Sequence, residues 1–231
     1  MAYDFYNGEI LLIDKPYTWS SFQAVNKIKH LIKSHPSWMH EGQKMKAKVG
    51  HAGTLDPLAT GLLIVATGKK TKTINELMGL EKEYTGVFFV GATTPCFDKE
   101  KEVDQVFPTN HITEEIIHNT VALFLGKQLQ TPPLFSAVMV DGKRAYELAR
   151  QGNYIELKAR EIEIKEFEIT KIQLPEVSFR VVCSKGTYIR SLARDFGIAL
   201  KSGAHLTSLR RTRIGQFKVI NAVEPNNFVF T

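Results

Sequence analysis

One carboxylate in this chain stands where it could do covalent work. Asp56 lies in Gly50-His51-Ala52-Gly53-Thr54-Leu55-Asp56-Pro57-Leu58-Ala59-Thr60-Gly61, just before the apolar run Leu62 to Val65. Pro57 disfavours helix at Asp56 and pushes it toward extended geometry. Gly50, Gly53 and Gly61 permit backbone shapes, and close approach to a ligand, that other residues resist. A carboxylate held this way can act as a nucleophile if it stays ionised, and a nearby arginine would favour the charged form. Lys185-Gly186-Thr187-Tyr188-Ile189-Arg190 offers Arg190 and Tyr188 together at a helix start. His51 shares the loop with Asp56. Taken singly, these residues read more readily as an Asp-Pro turn, a surface arginine and a half-buried tyrosine than as a site.

Other chemistries fail on spacing. Gly68-Lys69-Lys70-Thr71 invites a phosphate-loop reading, but Leu63 stands at the required glycine and Lys70 at the Ser/Thr position. Pro95-Cys96 lacks the second cysteine of a zinc deaminase, and His51-Ala52-Gly53 supplies no Glu. His30, His35 and His40 recur every five residues and do not share a helix face, so no metal site is expected there. No Gly-x-Ser-x-Gly element marks a serine hydrolase.

The elements that must position Asp56 read as a mixture of strands and helices. A strand over about 8–13 ends at Asp14-Lys15-Pro16. A helix follows from Ser20, where Ser20-Ser21-Phe22-Gln23 fits a capping box and Phe22, Val25, Ile28 and Ile32 form a stripe. Residues 34–49 are polar and basic and read as an exposed loop. Leu62–Ala66, Tyr84–Val90 and Val177–Cys183 read as strands. Thr113 can cap a helix to about Leu125. A further helix carries Ile189, Leu192, Ala193, Phe196 and Leu200 at helical spacing, with Gly203 as its stop. Residues 130–160 look like an inserted loop and helix. Without strict βαβ alternation the pattern predicts an α+β fold in one domain spanning 1–231.

Bulk properties set the surroundings. The 231 residues carry a net charge of +6, which favours an anionic partner such as nucleic acid. Cys96 and Cys183 have no paired spacing and read as reduced thiols of a cytoplasmic protein. Neither a signal peptide nor a membrane span is expected.

In order along the chain, these segments resemble the TruB family of tRNA pseudouridine-55 synthases. The likeness runs through Gly8–Pro16, Gly50–Gly61, Lys82-Glu83-Tyr84 and Gly91-Ala92-Thr93-Thr94. It continues through Ser136-Ala137, 146–152, Cys183–Arg190 and 205–211. It implies the pseudouridine-synthase fold, a mixed and mainly antiparallel sheet flanked by helices, with the 130–160 insertion gripping RNA. The small C-terminal RNA-binding (PUA-like) domain of many relatives is expected to be absent or vestigial.

The resemblance assigns roles. Asp56 matches the nucleophile, attacking ribose C1′ or uracil C6. Tyr84 matches the tyrosine that stacks on the target base. Arg190 would keep Asp56 charged, Tyr188 would line the pocket, and Leu209 would contact the base through its backbone. Lys72 matches a basic pocket-side position, and His51 the histidine that fills space left by flipped bases. The family uses no metal and no cofactor, so none is expected. The expected partner is tRNA, through its T-arm stem-loop, with no membrane and no obligatory protein partner. Basic residues near 44–48, Lys143-Arg144 and Arg210-Arg211-Arg213 would grip phosphates. Pro95-Cys96-Phe97-Asp98 replaces a more polar family stretch but retains Asp98. Two alternatives stand beside this reading: a non-catalytic RNA-binding or tRNA-folding protein, and a synthase acting on another uridine.

Overall fold

The computed structural model describes residues 3–136, 138–140, 142–145 and 157–230. The motif at 146–152, and with it most of the expected gripping helix, lies outside the described residues. In chain order the main elements are β1 (Ile10–Lys15), α1 (Ser21–Ile32), β2 (Val49–His51), β3 (Ala59–Thr67), α2 (Ile74–Gly79) and β4 (Lys82–Val90). There follow α3 (Glu114–Ala122), β5 (Gly126–Gln130), β6 (Arg160–Gln173), β7 (Glu176–Cys183), α4 (Ile189–Ala199), β8 (Ala204–Ile214) and β9 (Phe217–Lys218). The expected α+β class holds. By contacts the chain forms two compact units: 1–84 with 210–231, and 85–209. Strands β4 and β8 each contribute residues to both.

In the first unit, β1 lies antiparallel to β3, with Ile10 opposite Ala66 and Lys15 opposite Gly61. Strand β2 joins the far end of β3, with His51 opposite Val65. Nearly every β3 residue is buried, which explains why its sequence is a continuous apolar run without alternation. Helix α1 opens with the expected capping box: the Ser20 side chain accepts from Gln23 N, and the Gln23 side chain returns to the Ser20 backbone. Its stripe differs from the expectation. Phe22 is 70% exposed, and Ala24, Val25, Ile28 and Ile32 pack on Leu11, Ile13, Leu63 and Val65. Position 22 lies in the first turn, ahead of the face that the sheet covers.

The 34–49 segment is also more structured than its composition suggests. Trp38 is buried, and its indole N–H donates to the Ile32 carbonyl at 2.8 Å. That carbonyl belongs to the last turn of α1, where no intrahelical donor is available. The segment then forms a hairpin pairing Met39 with Lys44 and His40 with Gln43.

In the second unit, β6 pairs antiparallel with β7 and, through Arg160–Ile164, with β5. Its core is aromatic. Phe88 stacks on Phe179 at 4.1 Å between centroids, and Phe196 from α4 meets Phe88, Phe124 and Phe167 at 5.3–6.2 Å. Helix α4 follows its expected stripe, with Ile189, Leu192, Ala193 and Phe196 buried. This packing fixes the α4 N-terminus, where Tyr188 and Arg190 sit. Helix α3 keeps the Thr113 cap but ends at Ala122, three residues short of the expectation.

Candidate active site

Asp56 belongs to the first unit and is half-buried, in a stretch without regular structure between β2 and β3. Its neighbours in sequence are pinned on both sides. The Ser21 hydroxyl accepts from Leu55 N–H at 2.8 Å and donates to Leu55 O at 3.0 Å, in a buried setting. Pro57 O accepts from Thr18 N–H at 2.9 Å and from Lys15 Nζ at 3.3 Å. Asp56 O itself accepts from Ala59 N–H at 3.1 Å. The backbone that carries the carboxylate is therefore fixed from the start of α1 and the end of β1.

Arg211 clamps the loop at its two ends. Its Nε donates to Leu62 O at 2.8 Å and its Nη2 to Gly53 O at 3.1 Å. Gly61 sits at φ +103°, and a Cβ there would meet Arg211 O at 2.3 Å, so the crossing tolerates only glycine. Gly53, at φ +94°, makes the turn that aims its carbonyl at the guanidinium. For Arg211 this corrects the expectation that Arg210, Arg211 and Arg213 grip phosphates as a run. Arg211 is 2% exposed, Arg210 is held bidentately by Asp14 at 2.6 and 3.0 Å, and Arg213 meets Glu81 at 2.8 Å. These arginines hold the protein's own carbonyls and carboxylates.

The charges around the loop shift each other. Lys15 is fully buried and donates to the carbonyls of Pro16, Trp19 and Pro57. Burial pulls its pKa down to about 8, against the opposing pull of Asp56 and with a further push from Arg211. His51 is also pulled below its ordinary value, first by burial and then by Arg211. Its Nδ1 is buried and has no hydrogen-bond partner among the described residues. Tyr84 is buried in β4, and Lys72 is exposed on the turn Gly68–Thr73.

The remaining expected residues belong to the second unit. Arg190 is 5% exposed. Its Nη1 donates to Cys96 O at 3.2 Å and its Nη2 to Phe135 O at 2.9 Å, and its Nε lies 3.5 Å from the Asp98 carboxylate. Tyr188 rests on an apolar cluster of Leu134, Val138, Ala145 and Leu157, contributed by the insertion. Its backbone is gripped from both sides by buried Gln130, which accepts from Tyr188 N–H at 2.8 Å and donates to Tyr188 O at 3.2 Å. Leu209 is half-buried in β8.

The supporting parts played by Lys15, Ser21, Asp98, Gln130 and Arg211 escaped the reading of the sequence, although Asp98 stood out there as a retained position and Arg211 as a member of a basic run. Lys15 left a further signal, as a charged residue at the end of an otherwise apolar strand. Among the described residues no group of three or more His, Cys, Asp or Glu could hold a metal ion, and no helix is long and apolar enough to cross a membrane.

Comparison with known proteins gives this arrangement a family. The model of the N-terminal domain of TruB family pseudouridylate synthases matches residues 41–189. The model of the tRNA pseudouridylate synthase B C-terminal domain matches residues 190–228. A protein of Flavobacterium johnsoniae named tRNA pseudouridine synthase B is 60% identical over 96% of this chain and 94% of its own length. One of the same name from Phocaeicola vulgatus is 53% identical over 97% of this chain and 93% of its own. Among solved structures, a chain of a Cbf5–Nop10–Gar1 complex is 31% identical, with a TM-score of 0.68. The match covers 93% of this chain but only 51% of that one, so the chain spans about half the length of this structural relative. The fold is thus one found in pseudouridine synthases. The chain belongs to the TruB family.

Proposed function

We infer that this chain is a tRNA pseudouridine synthase that isomerises uridine 55 in the T-arm of tRNA, with Asp56 as its nucleophile. The observation that carries the reading is the pinned backbone on both sides of Asp56, in the loop that matches the family's catalytic loop. A carboxylate that must meet one carbon of a flipped nucleotide gains rate from being held in place beforehand. The full-length likeness to proteins named tRNA pseudouridine synthase B supports the choice of substrate.

The reaction breaks the N1–C1′ bond of uridine, turns the uracil and joins C5 to C1′. C5 loses a proton and N1 gains one, so the product is an isomer. No electron acceptor is needed. Asp56 attacks C1′ directly, or adds to C6 of the base, and both routes end at the same product. In this proposal Tyr84 stacks on the uracil, Tyr188 walls the pocket and Leu209 contacts the base through its backbone. Flipping the uridine out of its stack costs a few kcal/mol. His51, whose buried Nδ1 has no hydrogen-bond partner among the described residues, is suited to occupy the vacated space, stacking and hydrogen bonding at once. Lys72 stands at the basic rim. The enzyme works on tRNA in the cytoplasm, without a cofactor or an obligatory protein partner.

The reading is tested with unmodified tRNA labelled with tritium at C5 of uridine. Joining C5 to C1′ expels that hydrogen, so the enzyme is expected to release one tritium per tRNA. Release from a uridine other than 55, or no release at all, would overturn it.

A further inference from the structure

Gln130 is a buried amide, 4% exposed, that joins the root of the insertion to helix α4. It is the last residue of β5 and stands opposite Arg160 in the ladder with β6. The insertion therefore leaves the sheet at Gln130 and returns to it at Arg160. The Gln130 amide brackets Tyr188: its oxygen accepts from Tyr188 N–H at 2.8 Å and its nitrogen donates to Tyr188 O at 3.2 Å. Tyr188 is the N-cap of α4, with extended backbone at φ −97° and ψ 111°. Its carbonyl also accepts from Leu192 N–H at 3.0 Å, but its own N–H lies outside the helix ladder. A side chain that serves both atoms must accept and donate at once, which an amide does and an ionised carboxylate does not.

Neighbouring bonds repeat the join. Thr131 O accepts from Ser191 Oγ at 2.8 Å and from Arg194 Nη2 at 3.3 Å, and Phe135 O accepts from Arg190 Nη2 at 2.9 Å. The first residues of the insertion thus lie on the first two turns of α4. The Tyr188 ring packs against the insertion's apolar cluster of Val138, Ala145 and Leu157, beside Leu134. Such a contact holds a ring to a surface but lets it slide, because apolar burial has no direction. The Gln130 bonds do have direction, and they start from a paired strand residue. All of these residues belong to the second unit.

We propose that Gln130 is a positioning residue: by bracketing the Tyr188 backbone it sets the place of the Tyr188 ring for the reaction, independently of the insertion's hold on RNA. The inference rests on the reading of Tyr188 as a wall of the uridine pocket. The ring has two supports. The strand fixes where its Cα stands, and the insertion's cluster fixes the side on which it leans. Without the amide, Tyr188 loses its tie to β5 and the ring follows the insertion. A displacement on the order of 1 Å at a substrate-positioning group costs about 100-fold in rate.

The test compares the full chain with its Gln130→Met variant, whose side chain keeps its length and loses both bonds. Both proteins are labelled with 3-fluorotyrosine, and the Tyr188 signal in the fluorine NMR spectrum is the one missing from Tyr188→Phe. In Gln130→Met that signal is expected to shift or broaden, while those of Tyr3, Tyr6 and Tyr17 in the first unit stay in place. Single-turnover pseudouridine formation at saturating tRNA should slow by about 10–100-fold, with Kd for tRNA within about twofold of the wild type. Ser191→Ala removes the adjoining bond to Thr131 O and is the control for a loosened root. It should lower the melting temperature and leave both the Tyr188 signal and the rate unchanged. If Gln130→Met does not fold, Gln130→Asn, one methylene too short to span both atoms, is read in the same way. A wild-type Tyr188 signal or a wild-type rate in a folded Gln130 variant would overturn the proposal. So would a loss confined to Kd, or an equal slowing in Ser191→Ala. A wild type that releases no tritium from tRNA would remove the assigned reaction, and the Tyr188 signal would then decide whether Gln130 holds the ring.

Discussion

Removing the Ser21 hydroxyl is expected to loosen Asp56 without touching it. That oxygen takes the Leu55 N–H at 2.8 Å and gives its own proton to Leu55 O at 3.0 Å. Ser21 and Leu55 are each 3% exposed, so water has little access to replace either bond. Ser21→Ala leaves one buried donor and one buried acceptor unmade, each costing about 1–3 kcal/mol. We expect a loss of about 2–6 kcal/mol and a Tm lower by roughly 4–24 °C for a chain of this size. At 25 °C, below that transition, the freed Leu55 peptide lets the adjoining Asp56 carboxylate wander. A misplacement on the order of 1 Å costs about 100-fold in rate. Single-turnover pseudouridine formation should therefore slow by about 10–100-fold, with KM for tRNA nearly unchanged. Ser21→Thr, which keeps a hydroxyl, should recover most of the rate. A Ser21→Ala protein that melts lower yet turns over at the wild-type rate would refute the positioning argument. One that melts at the wild-type temperature would refute the claim that the two bonds are buried and needed.

Lys15 gives a stability effect with a definite sign. Its folded pKa is about 8 against an ordinary 10.5, so between those values the unfolded chain holds the proton that the folded chain has lost. Stability should rise with pH across that window, by up to about 3 kcal/mol, and chemical denaturation of Lys15→Met should lack this component. His51 acts on the acid side. Its depressed pKa means that the folded protein resists protonation, so stability should fall as pH drops below the ordinary histidine range, and His51→Gln should lessen that fall in thermal melts. Asp98→Asn removes the carboxylate beside Arg190 in a site where both side chains are at least nine-tenths buried. A destabilisation of about 3–5 kcal/mol is expected by denaturant titration, together with slower turnover.

The parts of the fold that repeat a local pattern were legible in the sequence. The Ser20–Gln23 capping box and the α4 stripe depend on neighbours three or four residues apart, and both formed as expected. The Gly50–Gly61 loop announced its constraint through glycine and proline. What stayed hidden depends on partners far along the chain. Arg211 reads as part of a basic surface run, because nothing near it shows that Gly53 O and Leu62 O turn toward it. Trp38 sits in a lysine-rich stretch and is buried because it packs into the cluster of α1 and the sheet, with its indole N–H on the Ile32 carbonyl. Phe22 follows helical spacing but lies beyond the covered face. Asp98 and Gln130 have ordinary local surroundings, and only their approach to Arg190 and Tyr188 gives them a part in the site.

The central claim is that Asp56 forms the bond to the nucleotide. Its most direct test is single-turnover reaction of wild type and Asp56→Asn with unmodified tRNA, mapping pseudouridine at position 55. Asparagine keeps the shape of the side chain and removes the nucleophilic charge, so the variant should fold, bind tRNA and form no pseudouridine. Pseudouridine at the wild-type rate in the Asp56→Asn protein would contradict the account.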